Sequence, residues 1–283
     1  MKNFIVPIDF SNESLNGLKM AILFSRKKPV DIQMIYVLAK SNESSRSKME
    51  NEQEYAEENF NKILKEYTPL LGKDSRMDYV IRSGKIYQQV VNQAQLKPNT
   101  VITASTHGAS GFQEFFMGSN AYRIISATEC PVITIRKNDC PSQIGKIVMP
   151  IDLSSDTRQK VPFTIEIAAL FGAEIHVLGI HTSKSPYYAK KIKMYVNQVS
   201  GYAQGRVNSV IHYVHGDHVS DLVVNYSVAT DAHLISITTE PSPGISLIIG
   251  NTAHQILNKA ECAVLCQTPK ALRKSGSFAS MGG

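Results

Sequence analysis

The residues best suited to chemistry lie in the stretch Ser105–Ile125, STHGASGFQEFFMGSNAYRII. Glycines at 108, 111 and 118 precede an apolar helical pattern, and Ser119 and Asn120 follow the last of them. Glycine at 108 and 118 lets backbone N–H groups approach an anion with no Cβ in the way. A helix N-terminus adds a favourable dipole, and Ser119 adds a hydroxyl, so the spacing suits a phosphate cradle as well as it suits a simple turn. In a cradle, a side chain added at 118 is expected to enter the phosphate space and leave the fold intact. Upstream, Asp9 follows the apolar run NFIVPI. A carboxylate there can accept hydrogen bonds from ribose hydroxyls or an adenine amine, or it can brace the loop entering the next helix. Val37 closes a second apolar run and suits either the edge of a base or the core.

The elements that must hold these groups in place occur twice. NFIVPIDFSNES near the start returns as KIVMPIDLSSDT, which pairs Asp9 with Asp152, 143 residues on. ATECPVITI at 127–135 returns as KAECAVLCQ at 259–267, and Gly84 and Gly118 return as Gly216 and Gly250, now at an offset of 132. The first copy therefore carries an insertion near 41–72. Two domains are expected, 1–138 and 144–268, followed by a disordered basic tail at 269–283.

Within the first copy, NFIVPI reads as a strand. Leu15, Leu18 and Ile22 then recur at helical spacing after a cap at Ser11 or Asn12. DIQMIYVL is a second strand, and Met49, Ala56, Phe60, Ile63 and Tyr67 form one face of a long charged helix. MDYVIRS, a helix over 86–95, TVITAS, a helix over 119–128 and PVITIR complete the copy. Strands alternating with helices at these lengths predict an α/β fold, a parallel sheet wrapped on both faces. In such sheets ligands gather beyond the carboxyl ends of the strands, where the strand order reverses. Asp9, Val37 and the glycine loop all fall at that end.

Composition narrows the function class. The 283 residues are 43% hydrophobic, enough for packed cores and too many for a disordered chain. No run approaches the roughly 20 apolar residues that span a bilayer, and Pro7 and Asp9 break the N-terminal run, so neither a membrane span nor a signal peptide is expected. Cys130, Cys140, Cys262 and Cys266 contain no C-x-x-C pair and do not form a secreted disulfide framework. The cytoplasm is the expected compartment. A net charge of +6 and a pI near 9.0 mildly favour polyanions, but the basic residues are dispersed and nucleic acid is not an expected partner.

With these residues in hand, the chain resembles a tandem universal stress protein over residues 1–268. Nucleotide-binding members of that family carry glycine, two residues, glycine, nine residues, then glycine and serine or threonine. Here the pattern is Ser105-x-x-Gly108, nine residues, Gly118-Ser119, so every element matches except the first glycine. THGASG and ECPVITI are also close to the family's usual wording. The resemblance implies two doubly wound, parallel, five-stranded sheets of the adenine nucleotide alpha hydrolase-like kind, paired as a pseudo-dimer through their last strands, 131–136 and 263–267. It implies that Pro7, Ile8, Asp9 and Val37 line an adenosine pocket, with Ala104, Ser105, Gly108, Gly118, Ser119 and Asn120 around the phosphates. The cofactor implied is ATP, with or without magnesium. Ser105 brings a Cβ and a hydroxyl where the family has none, and weakened binding is the expectation.

The second copy departs further. Its loop reads Ile237-Thr238-Thr239-Glu240, nine residues, Gly250-Asn251. Glu240 places a carboxylate where phosphate would lie and Pro241 and Pro243 stiffen the turn, so this half is expected to be degenerate for triphosphate. Seven of the eight histidines also lie in this half. His212, His215, Asp217 and His218 are metal-ligand types, but 212 and 215 point to opposite faces of a strand, and ordinary strand and surface histidines are the simpler expectation. His181 and His215 fall near strand ends and could meet Asp152. His107 reads as a loop residue, and Cys262 and Cys266 as core.

No catalytic residue is assigned. Gly84-Lys85 and Gly145-Lys146 lack the rest of a Walker motif, and DFSNES lacks the glycine an ATP-pyrophosphatase would need after the first strand. The leading expectation is a stress-response protein that binds an adenine nucleotide and hydrolyses it slowly or not at all. The alternative is an interaction or dimerisation protein, intrachain or as a homodimer, with relic loops and a metal site in the second domain.

Overall fold

The computed structural model describes residues 1–38, 46–106, 118–136, 140–154, 156–239 and 250–269, the side chains of 46–49 excepted. Several sequence expectations fall outside these residues: those for His107, Gly108, Glu240, Pro241 and Pro243, for the Met49 side chain, and for the tail beyond Pro269.

In the first half the order is β1 (Asn3–Pro7), α1 (Ser14–Ser25), β2 (Asp31–Leu38), α2 (Arg46–Tyr67), β3 (Arg76–Ser83), α3 (Ile86–Gln95), β4 (Thr100–Ser105), α4 (Ser119–Ala127) and β5 (Val132–Ile135). The second half repeats it: β6 (Lys146–Ile151), α5 (Val161–Phe171), β7 (Glu174–His181), α6 (Pro186–Ala203), β8 (Ser209–His215), α7 (Val219–Ala229), β9 (Leu234–Thr238), α8 (Asn251–Lys259) and β10 (Ala263–Gln267). Among the described residues no helix is long and apolar enough to cross a membrane.

All ten strands join one sheet in the order β3-β2-β1-β4-β5-β10-β9-β6-β7-β8. Pairing within each half is parallel, and the halves meet where β10 runs antiparallel to β5. The register there pairs Val132 with Cys266, Ile133 with Leu265 and Thr134 with Val264. Ile133 and Leu265 are counterparts at the 132-residue offset, so a pseudo-twofold axis passes between them. The pseudo-dimer implied by the sequence is thus formed within one chain, and each half covers the sheet edge that the other would expose.

The inner strands β4 and β9 are buried on both faces, whereas the edge strands β3 and β8 are largely exposed. One face is covered by α1, α2, α5 and α6, which bury Phe24, Phe60, Ile165 and Val196. The other is covered by α3, α4, α7 and α8, which bury Val90, Ile124, Val223 and Ile256. Both layers continue across the junction. Phe24 meets Phe171 edge to face with centroids 4.9 Å apart, and Tyr122 of α4 meets His254 of α8 at 5.5 Å. Tyr122 and His254 are counterparts and meet across the axis. Glu166 receives both the N-terminal ammonium and Lys28 at 3.4 Å, a further tie between the halves.

Candidate functional site

The carboxyl ends of β2, β1 and β4 are neighbours in the sheet, and the strand order reverses between β1 and β4. The sequence-predicted residues are brought to this edge. Pro7 ends β1, and the buried Ile8 continues past it by donating its N–H to the carbonyl of Ile35 at 2.9 Å. Asp9 is exposed at the top, Val37 is half-buried near the end of β2, and Ala104 and Ser105 are the last residues of β4. Gly118 donates its N–H to the carbonyl of Thr106 at 2.6 Å, and this pins the start of α4 beside the end of β4. Ser119 and Asn120 open that helix and are exposed. No side chain among the described residues caps it, and an uncapped helix start offers its first N–H groups to an anion.

Three sequence expectations need correction or refinement here. A Cβ built on Gly118 would lie 2.9 Å from the carbonyl oxygen of Thr106. Glycine is therefore required by the close approach of the helix start to β4, and a side chain at 118 strains the fold instead of simply entering a phosphate cradle. Asp9 also braces the loop. Its carboxylate accepts the Ser11 N–H at 3.0 Å and the Ser11 hydroxyl at 2.5 Å, while Ser11 Oγ in turn accepts the Ser14 N–H at 3.1 Å. The N-cap of α1 is Glu13, with no side-chain cap, rather than Ser11 or Asn12; Ser11 instead bonds the first helical N–H from the preceding turn, and Asp9 holds Ser11.

Beside this edge lies an aromatic group that the sequence reading did not single out as a unit. Phe10 adopts φ +65°, a conformation that costs a non-glycine residue energy. Its ring stacks on Tyr36 at 4.9 Å and meets Phe60 at 5.1 Å and Tyr55 at 5.7 Å edge to face. These contacts hold the strained turn. The Tyr36 hydroxyl donates to Glu52 at 3.1 Å, and burial together with that carboxylate pushes its pKa up to about 12. The signal was present in the Phe60 face of α2, but its partner Phe10 lies 50 residues away.

The equivalent edge of the second half holds a cavity of about 300 Å3. Asp152 lines it and accepts the Ser154 N–H at 2.8 Å and the Thr157 hydroxyl at 2.7 Å, much as Asp9 holds Ser11. His181 lines it too, with its Nδ1–H donated to the carbonyl of Ser183 at 2.7 Å and its ring 5.0 Å from that of His215. His212 instead stacks on Tyr226 at 5.0 Å, so the two histidines of β8 do part to different partners. No group of three His, Cys, Asp or Glu side chains fit to hold a metal occurs among the described residues. Cys266 is buried in β10, where desolvation pushes its pKa far up, and Cys262 is pushed up to about 11 for the same reason.

The residue missed altogether is Lys160. It corresponds to Gly17, whose helix packs so closely on β4 that a Cβ would lie 2.7 Å from the carbonyl oxygen of Thr103. In the second half Pro162 occupies the first turn of α5, which starts at Val161 and leaves Lys160 at the N-cap. The Lys160 side chain is 1% exposed and lines the cavity. Burial drives its pKa down to about 8, against the opposing pull of Asp152. Aligning the copies at the 143-residue offset, with Pro162 two residues beyond, was the signal that could have exposed it.

Comparison with known proteins accords with this architecture. The model of the universal stress protein family matches the chain twice, over residues 1–136 and 143–267. The universal stress protein MJ0531 of Methanocaldococcus jannaschii is 25% identical over 140 residues, 48% of this chain and 82% of that protein. The universal stress protein YxiE of Bacillus subtilis is 22% identical over 143 residues, 47% of this chain and 97% of that protein. A crystal structure of a universal stress protein from Archaeoglobus fulgidus covers 94% of this chain and 98% of its own, with a TM-score of 0.77 at 16% identity. A functionally unknown protein from Pseudomonas aeruginosa covers 95% and 93%, with a TM-score of 0.64 at 16% identity. Likeness at these identities speaks to the fold alone, and the fold is shared along nearly the whole chain. With a doubled family match over two halves that close into one sheet, the chain belongs to the universal stress protein family as a tandem member.

Proposed function

We propose that the chain binds ATP or a related adenine nucleotide through its first half and acts in the cytoplasm as a nucleotide-dependent binding module of the stress response. The two halves, 1–138 and 144–268, are its domains, and hydrolysis is slow or absent. The observation that carries this reading is the bond from the Gly118 N–H to the carbonyl of Thr106, which sets the uncapped start of α4 beside the reversal of strand order. Backbone N–H groups there suit phosphate, and Asp9, Ile8 and Val37 at the ends of β1 and β2 suit adenosine. Ser105 replaces a glycine of the family pattern and can donate its hydroxyl to a phosphate oxygen. The nucleotide is bound with or without magnesium.

Intact mass spectrometry of the gently purified chain tests the reading. A co-purifying mass matching an adenine nucleotide, or uptake of ATP by the stripped protein, is the expected outcome. A chain that carries none and takes up none on titration would favour a pure interaction protein.

A further inference from the structure

The second-half cavity combines an apolar floor with two buried polar residues, Thr238 and Lys160, whose side chains make no hydrogen bond among the described residues. Ile151, Ile180, Val223, Ile237 and Ile256 supply the floor. Thr238 is 8% exposed, and its Oγ1 is buried with no hydrogen-bond partner. Its counterpart Thr106, by contrast, donates Oγ1 to the carbonyl of Ile135. Lys160 is buried against the same space, and no hydrogen bond or ion pair of its ammonium occurs among the described residues. A buried ammonium and a buried hydroxyl left unpaired each carry a desolvation penalty, which a ligand bonding to both would relieve. Asp152 is close enough to pull on this ammonium but makes no ion pair with it, and its bonds from Ser154 and Thr157 both fall on Oδ1.

We propose that this cavity is a binding site for a small monocarboxylate with an apolar body. The carboxylate accepts hydrogen bonds from Lys160 and Thr238, and the hydrocarbon lies on the isoleucine and valine floor. Asp152 already offsets part of the charge on Lys160, so the site favours the smallest anionic charge, and each further charge of a phosphate chain would add repulsion. A cavity of about 300 Å3 is large enough for a ring or a short acyl chain. This inference is independent of nucleotide binding in the first half.

Titration calorimetry of the full chain with benzoate and hexanoate tests it, with benzamide as the neutral analogue and the acids repeated in saturating ATP. Both acids are expected to bind with one equivalent per chain, benzamide at least about tenfold more weakly, and ATP to leave their affinity unchanged. Lys160→Met should weaken benzoate at least about tenfold, and Thr238→Val, which keeps the side-chain shape, should weaken it several-fold. The proposal is overturned if neither acid binds at millimolar concentration, if benzamide binds as well as benzoate, or if ATP displaces the acids. Unchanged benzoate affinity in folded Lys160→Met, or in Thr238→Val should the first variant not fold, overturns it equally.

Discussion

Gly17 and Lys160 occupy the same place in two copies of one fold, and their surroundings have diverged around them. In the first half the backbone of α1 lies so close to β4 that even a methyl group at 17 would press on the carbonyl of Thr103. In the second half the helix starts later, at Val161 behind Pro162, and a full lysine side chain fits beneath the sheet edge beside a cavity. The carboxylates at the two strand ends, Asp9 and Asp152, keep the same job of holding the loop that follows. Duplication has therefore preserved the frame, which both halves need to share one sheet, while the residues at the two strand-end edges have diverged.

The largest effect is expected where the contrast is sharpest. Lys160→Met removes a buried ammonium whose pKa has fallen from 10.5 to about 8, a shift equivalent to about 3 kcal/mol of lost stability at neutral pH. The variant should therefore be more stable by roughly that amount at pH 7 in urea denaturation. The unfolded chain keeps the lysine proton up to about 10.5 and the folded chain releases it near 8, so between these values the unfolded state binds more protons. Wild-type stability should climb relative to the variant over that window, and the difference should vanish above it. Equal stabilities at pH 7 would mean that the ammonium is compensated.

The mirror substitution should act in the opposite direction. Gly17→Ala is expected to destabilise by about 1–3 kcal/mol, because a backbone carbonyl and not a flexible side chain stands 2.7 Å from the new Cβ. Gly118→Val should cost a similar amount, about 1–3 kcal/mol, against the carbonyl of Thr106, and should displace the start of α4. A melting temperature unchanged in either variant would show that the helix can slide without cost. The smallest effect on folding is expected from Tyr36→Phe, about 1 kcal/mol or less, through loss of the bond to Glu52. Denaturation midpoints resolve these in order.

Much of the frame was legible because each strand is a short apolar run bounded by turn residues. DIQMIYVL, the helix over 86–95 and TVITAS coincide with β2, α3 and β4. The intrachain pairing of β5 with β10 followed from the family resemblance and from two apolar last strands in need of cover. Two features were hidden for a physical reason. The turn at Phe10 depends on rings from β2 and α2, and nothing in DFSNES announces a left-handed phenylalanine. Lys160 reads as an ordinary surface lysine until Pro162 is seen to delay the helix. The role expected of a side chain at Gly118 erred because the sequence shows which residue is small and not which neighbour requires it.

The central claim is that the two edges differ in what they bind, and ATP stoichiometry tests it most directly. Equilibrium titration of the stripped full chain, with and without magnesium, should give one ATP per chain. Asp9→Ala should weaken that binding by about 1–3 kcal/mol, as expected for a lost hydrogen bond to a charged group, and Lys160→Met should leave it unchanged. Two ATP molecules per chain, or a single ATP lost in Lys160→Met and retained in Asp9→Ala, would contradict the account.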